Sequence, residues 1–342
     1  MLVVMADDGI AFDGQTPERA PLGGAEAAFV ALAEALAARG HGVLARNRCA
    51  GPLTHNGVDW KPLADGLPER ADLYIANRGN RLIGRVPATR GVFWIHNPGR
   101  YLAKPRYVLA LLRHRPVIVT LGPHHAASVP WWMPSGGRAA IPYGLAPQFR
   151  APRPERAPPP PHAIFTSNPL RGLGWLLDVW ARRIRPAVPA AELHIYGGPA
   201  VYGAVGAAHA AEMEKVLARA DALASAGVRR HAPLPRDRLA EALAAARLMV
   251  YRGDVGETFC LAVAEAQALG VPAVVEALGS LAERVIDGET GTIAGDDAQF
   301  GDAAIELLKD DALWQRQHRA ALARQRGLSW DEVAARFERL AA

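Results

Sequence analysis

The chain has 342 residues, half of them apolar and 21% charged, with a net charge of +5. That length is about twice a usual domain, and the apolar fraction excludes a disordered chain. The apolar runs are too short and too often broken by Arg, Gly or Pro for a transmembrane span.

The first residues read as a buried strand with no basic region before it, so no signal peptide is expected. Cys49 and Cys260 are far apart and form no metal or redox spacing. A reducing cytoplasm is the expected location. The charge is uneven: residues 1–150 hold 17 Lys/Arg against 10 Asp/Glu, while the remainder holds 22 against 24. Between Leu73 and Pro154 there are twelve basic residues and no acidic one. Such a block favours an anionic partner, whether phosphate, lipid headgroup or nucleic acid; a compositional preference for Arg over Lys accounts for it equally well.

Short β-like runs alternate with amphipathic helices, which predicts parallel α/β architecture. Strands are expected at 2–5, 41–46, 72–77, 91–96 and 117–121, with a helix between the first two that stops at Gly40. Residues 151–162 are half proline and read as a semi-rigid linker. A strand and loop follow at 162–168, a strand running into a Gly-rich loop at 192–198, and strands at 228–231, 248–254 and 271–276, with helices between them near 174–185, 207–226 and 236–246. Ser329 is the expected N-cap of a last helix. The expected domains are 1–150, a linker at 151–162, a second domain at 163–327, and a terminal helix at 328–342. Both domains are expected to be doubly wound and Rossmann-like. Ligands of such sheets sit beyond the carboxyl ends of the strands, so a site in the cleft between the domains is expected.

The segment 257–275, ETFCLAVAEAQALGVPAVV, carries the sharpest chemical signal. Glu257 stands before a helix start with Thr258 as the expected cap, and Glu265 follows after seven residues in apolar surroundings. A buried carboxylate needs hydrogen-bond donors, which ribose hydroxyls or a neighbouring Arg supply. The amides at the helix start favour an anion such as a diphosphate.

Glu, seven residues, Glu, then A-x-A-x-G-x-P-x-V resembles the signature of family 4 retaining glycosyltransferases, which have the GT-B fold. Three further segments resemble that family in order: PLGGAEAAFVALAEALAARGHGV (21–43), IPYGLAPQF (141–149), with Tyr143 where Asn is common, and SWDEVAARFERL near the end. In the family that last helix crosses back to the N-terminal domain. The resemblance implies that Glu265 binds the donor ribose and that Glu257 contacts the transferred sugar, helped by the amides of Phe259 and Cys260. It implies that Gly23 and Gly24 let the backbone approach the donor, where any Cβ would intrude. His96, after a strand, takes a position near donor sugar and acceptor, with Asn97 beside it. Where the family places Arg and then Lys for the phosphates, this chain has Ser167 and Asn168 in the region of the Arg, and Arg171 at the Lys position. Arg252 or a residue of the basic half is left to supply the second cation. His231, Ala232 and Leu234 are expected at the base pocket, or else at an ordinary strand end and helix entry.

No Asp-x-Asp motif occurs, and the adjacent pairs Asp7-Asp8, Asp296-Asp297 and Asp310-Asp311 are expected in loops or at helix ends. The implied activity is therefore metal-independent transfer of a hexose from a UDP- or GDP-sugar to a glycan or lipid-linked hydroxyl, with no cofactor and no nucleic acid. The basic stretch with Trp131, Trp132 and Met133 is expected either to meet a phospholipid or polyprenyl-phosphate surface at the inner face of the membrane, or to be core. Alternatives are a sugar-nucleotide epimerase of the same fold, or a non-catalytic nucleotide-sugar or nucleic-acid binder.

Overall fold

In the computed structural model the described residues are 1–20 and 22–341, with the backbone alone for 202–205. Pro21 of the glycine loop and Ala342 of the final helix lie outside them. The chain divides into two units: Met1–Gly144 with Leu328–Ala342, and Leu145–Gly327.

The first unit contains β1 (Leu2–Asp7), α1 (Gly24–Ala38), β2 (Gly42–Asn47), β3 (Leu53–His55), β4 (Val58–Pro62), β5 (Ala71–Asn77), β6 (Ala88–Trp94), α2 (Pro105–His114), β7 (Val117–Thr120) and β8 (Gly137–Ala140). The sheet order is β3-β4-β2-β1-β5-β6-β7-β8. All pairs are parallel except the β3–β4 hairpin. That hairpin turns through Asn56 and Gly57, both at positive φ (47° and 78°), as a two-residue turn of the primed type requires. Strands 1, 2 and 5 to 7 correspond to those expected; the hairpin and β8 were not anticipated. The buried faces run as unbroken apolar stretches such as Val3 to Ala6 and Val92 to Ile95, as strands covered on both sides do. The chain reverses its direction of winding between β1 and β5, so residues just past those two strand ends stand at the topological switch point.

The second unit contains β9 (His162–Phe165), α3 (Leu173–Val179), β10 (Glu192–Tyr196), α4 (Ala210–Ala222), β11 (Val228–His231), α5 (Arg236–Ala245), β12 (Leu248–Tyr251), α6 (Leu261–Ala268), β13 (Ala273–Glu276), β14 (Gly291–Ala294), α7 (Asp297–Lys309) and α8 (Asp311–Arg324). The order β11-β10-β9-β12-β13-β14 is parallel throughout. Its switch point falls between β9 and β12. The helix expected near 207–226 is two helices, Gly203–Ala208 and α4, parted at His209. The strand expected to reach residue 254 stops at Tyr251, because Gly253 takes a φ of +97°. Asp296 and Asp310 cap α7 and α8 through their side chains, as their placement at helix ends predicts. Asp7 departs from that expectation: it is the last residue of β1 and fully buried.

The proline stretch 151–162 lies within the second unit and is strapped to it. Glu155 meets Arg319 at 2.5 Å, Arg156 donates to the Ala246 carbonyl and covers the Trp314 ring, and Arg247 donates to the Pro159 carbonyl. These contacts accompany the division of the chain, which assigns the segment to the second unit.

The final helix α9 (Trp330–Ala341) packs in the first unit against α1. Ser329 Oγ accepts from the Glu332 amide, and the Glu332 carboxylate accepts in return from the Ser329 amide, closing a capping box. Phe337 is fully buried, its ring edge-on to Trp94 at 5.3 Å. Replacing Phe337 by Ala should cost the first unit about 3–5 kcal/mol, read as a lower denaturation midpoint of that unit; an unchanged midpoint would mean that the helix is not part of its core.

Candidate functional site

In the first unit, a polar network sits at the carboxyl ends of β1, β5 and β6. Asp7 Oδ2 accepts from Asn77 Nδ2 at 2.5 Å and from Arg78 Nη2 at 2.8 Å, and Arg78 Nη1 reaches Glu26 Oε1 at 2.7 Å. Asp7, Asn77 and Glu26 are all buried. Burial opposes the Arg78 charge, but Asp7 and Glu26 outweigh it and raise the pKa of the guanidinium. Arg78 takes a φ of +59°, which turns its side chain back onto Asp7.

His96 stands in the same network and is buried. Its Nε2 meets Asn77 Oδ1 and its Nδ1 meets the Tyr143 hydroxyl, both at 2.5 Å. Burial, then the Arg78 charge and His125, push its pKa well below the usual value of 6.5, so the ring is neutral. With Asn77 donating to Asp7, its Oδ1 must accept; Nε2–H therefore donates and Nδ1 accepts from Tyr143. Both ring nitrogens are engaged. Tyr143, the residue that departs from the family pattern, thus orients His96. Asn97 is exposed, and its carbonyl accepts from His125 Nε2 at 2.9 Å.

Gly23 is the N-cap of α1 and Gly24 its first residue. A Cβ at Gly23 would fall 2.5 Å from Glu26 Oε2. Within the protein, a side chain there would first meet the Glu26 carboxylate. The two tryptophans divide from Met133: Trp131 and Trp132 are 88% and 48% exposed, whereas Met133 is in the core.

In the second unit, Glu257 and Arg171 meet at the switch point beyond β9 and β12. Arg171 Nη1 donates to Glu257 Oε1 at 2.7 Å, and the Tyr251 hydroxyl donates to the same oxygen. Asn168 makes the turn that presents Arg171: its Oδ1 accepts from the Leu170 amide and its carbonyl from the Arg171 amide, both at 2.9 Å. The Ser167 carbonyl lies against Gly197, where a Cβ would approach it to 2.8 Å. Arg252 lies beside this turn, holding Glu276 Oε2 at 3.1 Å and covering the Trp175 ring at 4.8 Å.

The helix carrying Glu265 begins at Leu261, with Cys260 and not Thr258 as its N-cap. Cys260 has a φ of +62°, a costly conformation for a residue with a side chain. Its thiol is pushed well above the ordinary value of 9.0 by burial and then by Glu257, and is inert. Beside it Phe259 is buried under the Arg284 guanidinium, 4.4 Å from the ring. Arg284 is itself shielded from water, which lowers its pKa against the support of Glu283, and its Nε has no hydrogen-bond partner among the described residues. Glu265, 2% exposed, is bound by Arg236. Burial raises its pKa and Arg236 opposes the rise. The Arg236 guanidinium also covers the Phe149 ring at 4.7 Å.

The loop of Ala232 and half-buried Leu234 leads directly into Arg236. His231 stacks between Tyr196 at 4.5 Å and His194 at 5.1 Å. The structure therefore joins Arg171 to Glu257, places Phe259 and Cys260 at the adjoining helix start, and sets Glu265 on that helix. Asp7, Glu26, Asn77, Arg78, Tyr251, Arg236 and Arg284 were not singled out from the sequence. Arg236 and Arg284 carry no motif; Asn77 and Arg78 were legible only as the end of a predicted strand, by the same argument that picked His96.

Gly279 closes the loop behind Glu257 at a φ of +58°. A Cβ there would lie 2.6 Å from the Asp254 carbonyl oxygen and 2.7 Å from that of Glu257. Gly279→Ala should destabilise the second unit by about 1–3 kcal/mol. Gly288→Ala, at a φ of +72° with nothing within 4 Å, should cost less; equal denaturation midpoints for the two variants would contradict the steric account.

His125 is fully buried in the first unit, and burial brings its pKa down from 6.5 to about 4. The unfolded chain then binds more protons than the folded one between about pH 6.5 and pH 4, so stability falls as pH falls through that window. His125 accounts for on the order of 3 kcal/mol of the fall. Urea melts between pH 7 and pH 4 should show a smaller loss for His125→Gln than for the parent chain.

The model of the family described as "Glycosyl transferases group 1" matches residues 161–310. Among characterised proteins, the D-inositol 3-phosphate glycosyltransferase of Xylanimonas cellulosilytica is 37% identical over 107 residues, 31% of this chain and 25% of that protein. The phosphatidyl-myo-inositol mannosyltransferase of Mycobacterium leprae is 36% identical over 87 residues, 25% of this chain and 23% of that protein. The match thus spans about a quarter of the length of these curated relatives. In fold, the chain is similar to sucrose-phosphate synthase from Thermosynechococcus elongatus, with a TM-score of 0.76 at 18% identity over 99% of this chain and 98% of that one. It is also similar to Anabaena HepE in complex with UDP and glucose, with a TM-score of 0.71 at 15% identity over 99% and 98% of the two chains. Residues 161–310 thus match the model of the glycosyl transferases group 1 family, and the chain has the GT-B fold.

Proposed function

We propose that the chain is a retaining glycosyltransferase that moves a hexose from a UDP- or GDP-sugar to a hydroxyl of a glycan or lipid-linked acceptor. The observation that carries this reading is the pairing of Glu257 with Arg171 at the switch point of the second unit, just before a helix that carries a second buried carboxylate, Glu265, held by Arg236.

Glu265 would accept hydrogen bonds from vicinal ribose hydroxyls, which would share it with Arg236. Glu257 would orient hydroxyls of the sugar. A donor diphosphate would draw on Arg171, on the helix start at Cys260 and on Arg284, whose Nε hydrogen still lacks a partner among the described residues. These cations take the place of the family's Arg and Lys, and the developing negative charge of the leaving diphosphate is theirs to stabilise. Arg252 is the further candidate, at the cost of its bond to Glu276. On this reading no metal is needed at the diphosphate. His96, neutral and held at both nitrogens, would serve as a hydrogen-bonding and packing surface for the sugar and not as a general base.

The acceptor side is the first unit. Leu109 and Leu112 are 69% and 58% exposed on α2, among Arg106, Arg113 and Arg115. Arg115 donates to the Ser135 carbonyl, which ties the helix end to the loop of Trp131 and Trp132. A basic face carrying exposed Leu and Trp suits a phospholipid or polyprenyl-phosphate surface. No helix among the described residues is long and apolar enough to cross a membrane.

Thermal melting with UDP, GDP, ADP and their sugar conjugates, in the presence of chelator, tests the donor site. A ligand at about a hundred times its dissociation constant should stabilise the fold by about 2.7 kcal/mol. Glu265→Ala should weaken that nucleotide by roughly ten- to a hundredfold, the loss of one or two hydrogen bonds to a charged group. Glu257→Gln should leave nucleotide affinity nearly intact and lower turnover, with the product anomer read by NMR. Stabilisation by none of the nucleotides would refute the donor assignment, and turnover of the donor sugar to an epimer without acceptor would replace transfer by epimerisation.

A further inference from the structure

We propose that His162, Glu192 and His194 form a binding site for one divalent ion of the zinc class, separate from the donor site. His162 and Glu192 are the first residues of β9 and β10 and lie opposite each other in register, and His194 follows on the same face of the sheet, two residues along. Arg171 and Glu257 stand beyond the other, carboxyl ends of the strands. The cluster thus begins at the amino ends of the strands, opposite the end where Arg171 and Glu257 stand, and touches the base-pocket candidate His231 through His194.

The geometry is that of a ligand set. Glu192 Oε2 lies 3.2 Å from His194 Nε2 and 3.6 Å from His162 Nε2, and the three candidate ligand atoms are within 4.8 Å of one another. A tetrahedral zinc ion with bonds of about 2.0–2.1 Å sets its ligand atoms roughly 3.4 Å apart. Two imidazoles and one carboxylate suit a borderline ion better than the hard ions, which prefer all-oxygen sets.

The atoms around these ligands are arranged to support them. Arg229 Nη2 donates to Glu192 Oε1 at 2.9 Å and leaves Oε2 toward the imidazoles. His194 Nδ1 meets His231 Nε2 at 3.0 Å, so the ring nitrogen away from the cluster has its own partner. Metal-binding histidines and carboxylates are commonly oriented through such outer bonds. A cavity of about 120 Å³, lined by His162, His194 and Tyr196 together with Ala242 and Ala245 of α5 and Ala246 just after it, adjoins the rings. The small side chains of the helix leave space there for a water as fourth ligand.

The test is titration of ZnCl2 into untagged, chelator-treated protein by calorimetry, with Co(II) as spectroscopic probe. One equivalent should bind per chain, and Co(II) should give the intense visible absorption of a four-coordinate site. His162→Ala and His194→Ala should each weaken zinc at least about tenfold. Glu192→Gln should do the same while keeping the Arg229 contact, and it decides the matter if a histidine variant does not fold. His209→Ala, at an exposed histidine beside Glu212, should change nothing. Absence of stoichiometric binding, or affinity unchanged in Glu192→Gln and both histidine variants, would overturn the proposal. Nucleotide melting curves are a separate readout, so failure here leaves the donor site standing, and the reverse.

Discussion

Four carboxylates at the carboxyl ends of the strands or on the adjoining helices are buried, and each is held by a guanidinium. Asp7 and Glu26 share Arg78, Glu257 has Arg171, and Glu265 has Arg236. An isolated charge taken out of water costs several kcal/mol, and removing one member of a buried pair is more damaging than replacing both. Each pair therefore constrains the loop that brings its Arg. The turn at Asn168 exists to present Arg171, the left-handed backbone at Arg78 folds that residue onto Asp7, and α5 opens with Arg236. Doubly wound sheets collect such loops at one edge because all parallel strands end there.

The same arithmetic underlies the anion binding proposed for the second unit. Arg171 is partly exposed and donates to Glu257 Oε1. Arg284 is more confined: it is shielded by Phe259 and lacks a partner for Nε among the described residues. An anion arriving there gains charge-assisted hydrogen bonds in a medium less polar than water. In the first unit the opposite holds. His96 is neutral and engaged at both nitrogens, and the chain Tyr143, His96, Asn77, Asp7 passes donor to acceptor in one direction. Such a chain fixes a surface; it has no unused base to offer.

The pattern of elements was largely legible. Strand alternation, the stop at Gly40, the cap at Ser329 and the spacing of Glu257 and Glu265 are local properties, and local propensity reports them. The Asn56-Gly57 hairpin was equally local, but its strands are three and five residues long and half-exposed, so the apolar period that marks a strand was weak. Thr258 looked like the better cap because its hydroxyl is a common one. The left-handed backbone at Cys260 makes that residue the cap instead, and the helix starts at Leu261. Asp7 read as a loop residue because an acidic pair after an apolar run usually is one; only the arrival of Arg78 and Asn77, seventy residues on, makes its burial tolerable.

Residue order alone determined the two α/β halves and the spacing of the candidate carboxylates, since those follow from periodicity along the chain; Arg171 was picked out by the resemblance to the family. Tertiary structure decided which Arg serves which carboxylate, that Tyr143 orients His96, that Trp131 and Trp132 are exposed while Met133 is buried, and that His162, Glu192 and His194 share one face. Charge pairing acts over a few ångströms in space and leaves no period in the sequence, so partners dozens of residues apart become visible only when the sheet has set them side by side.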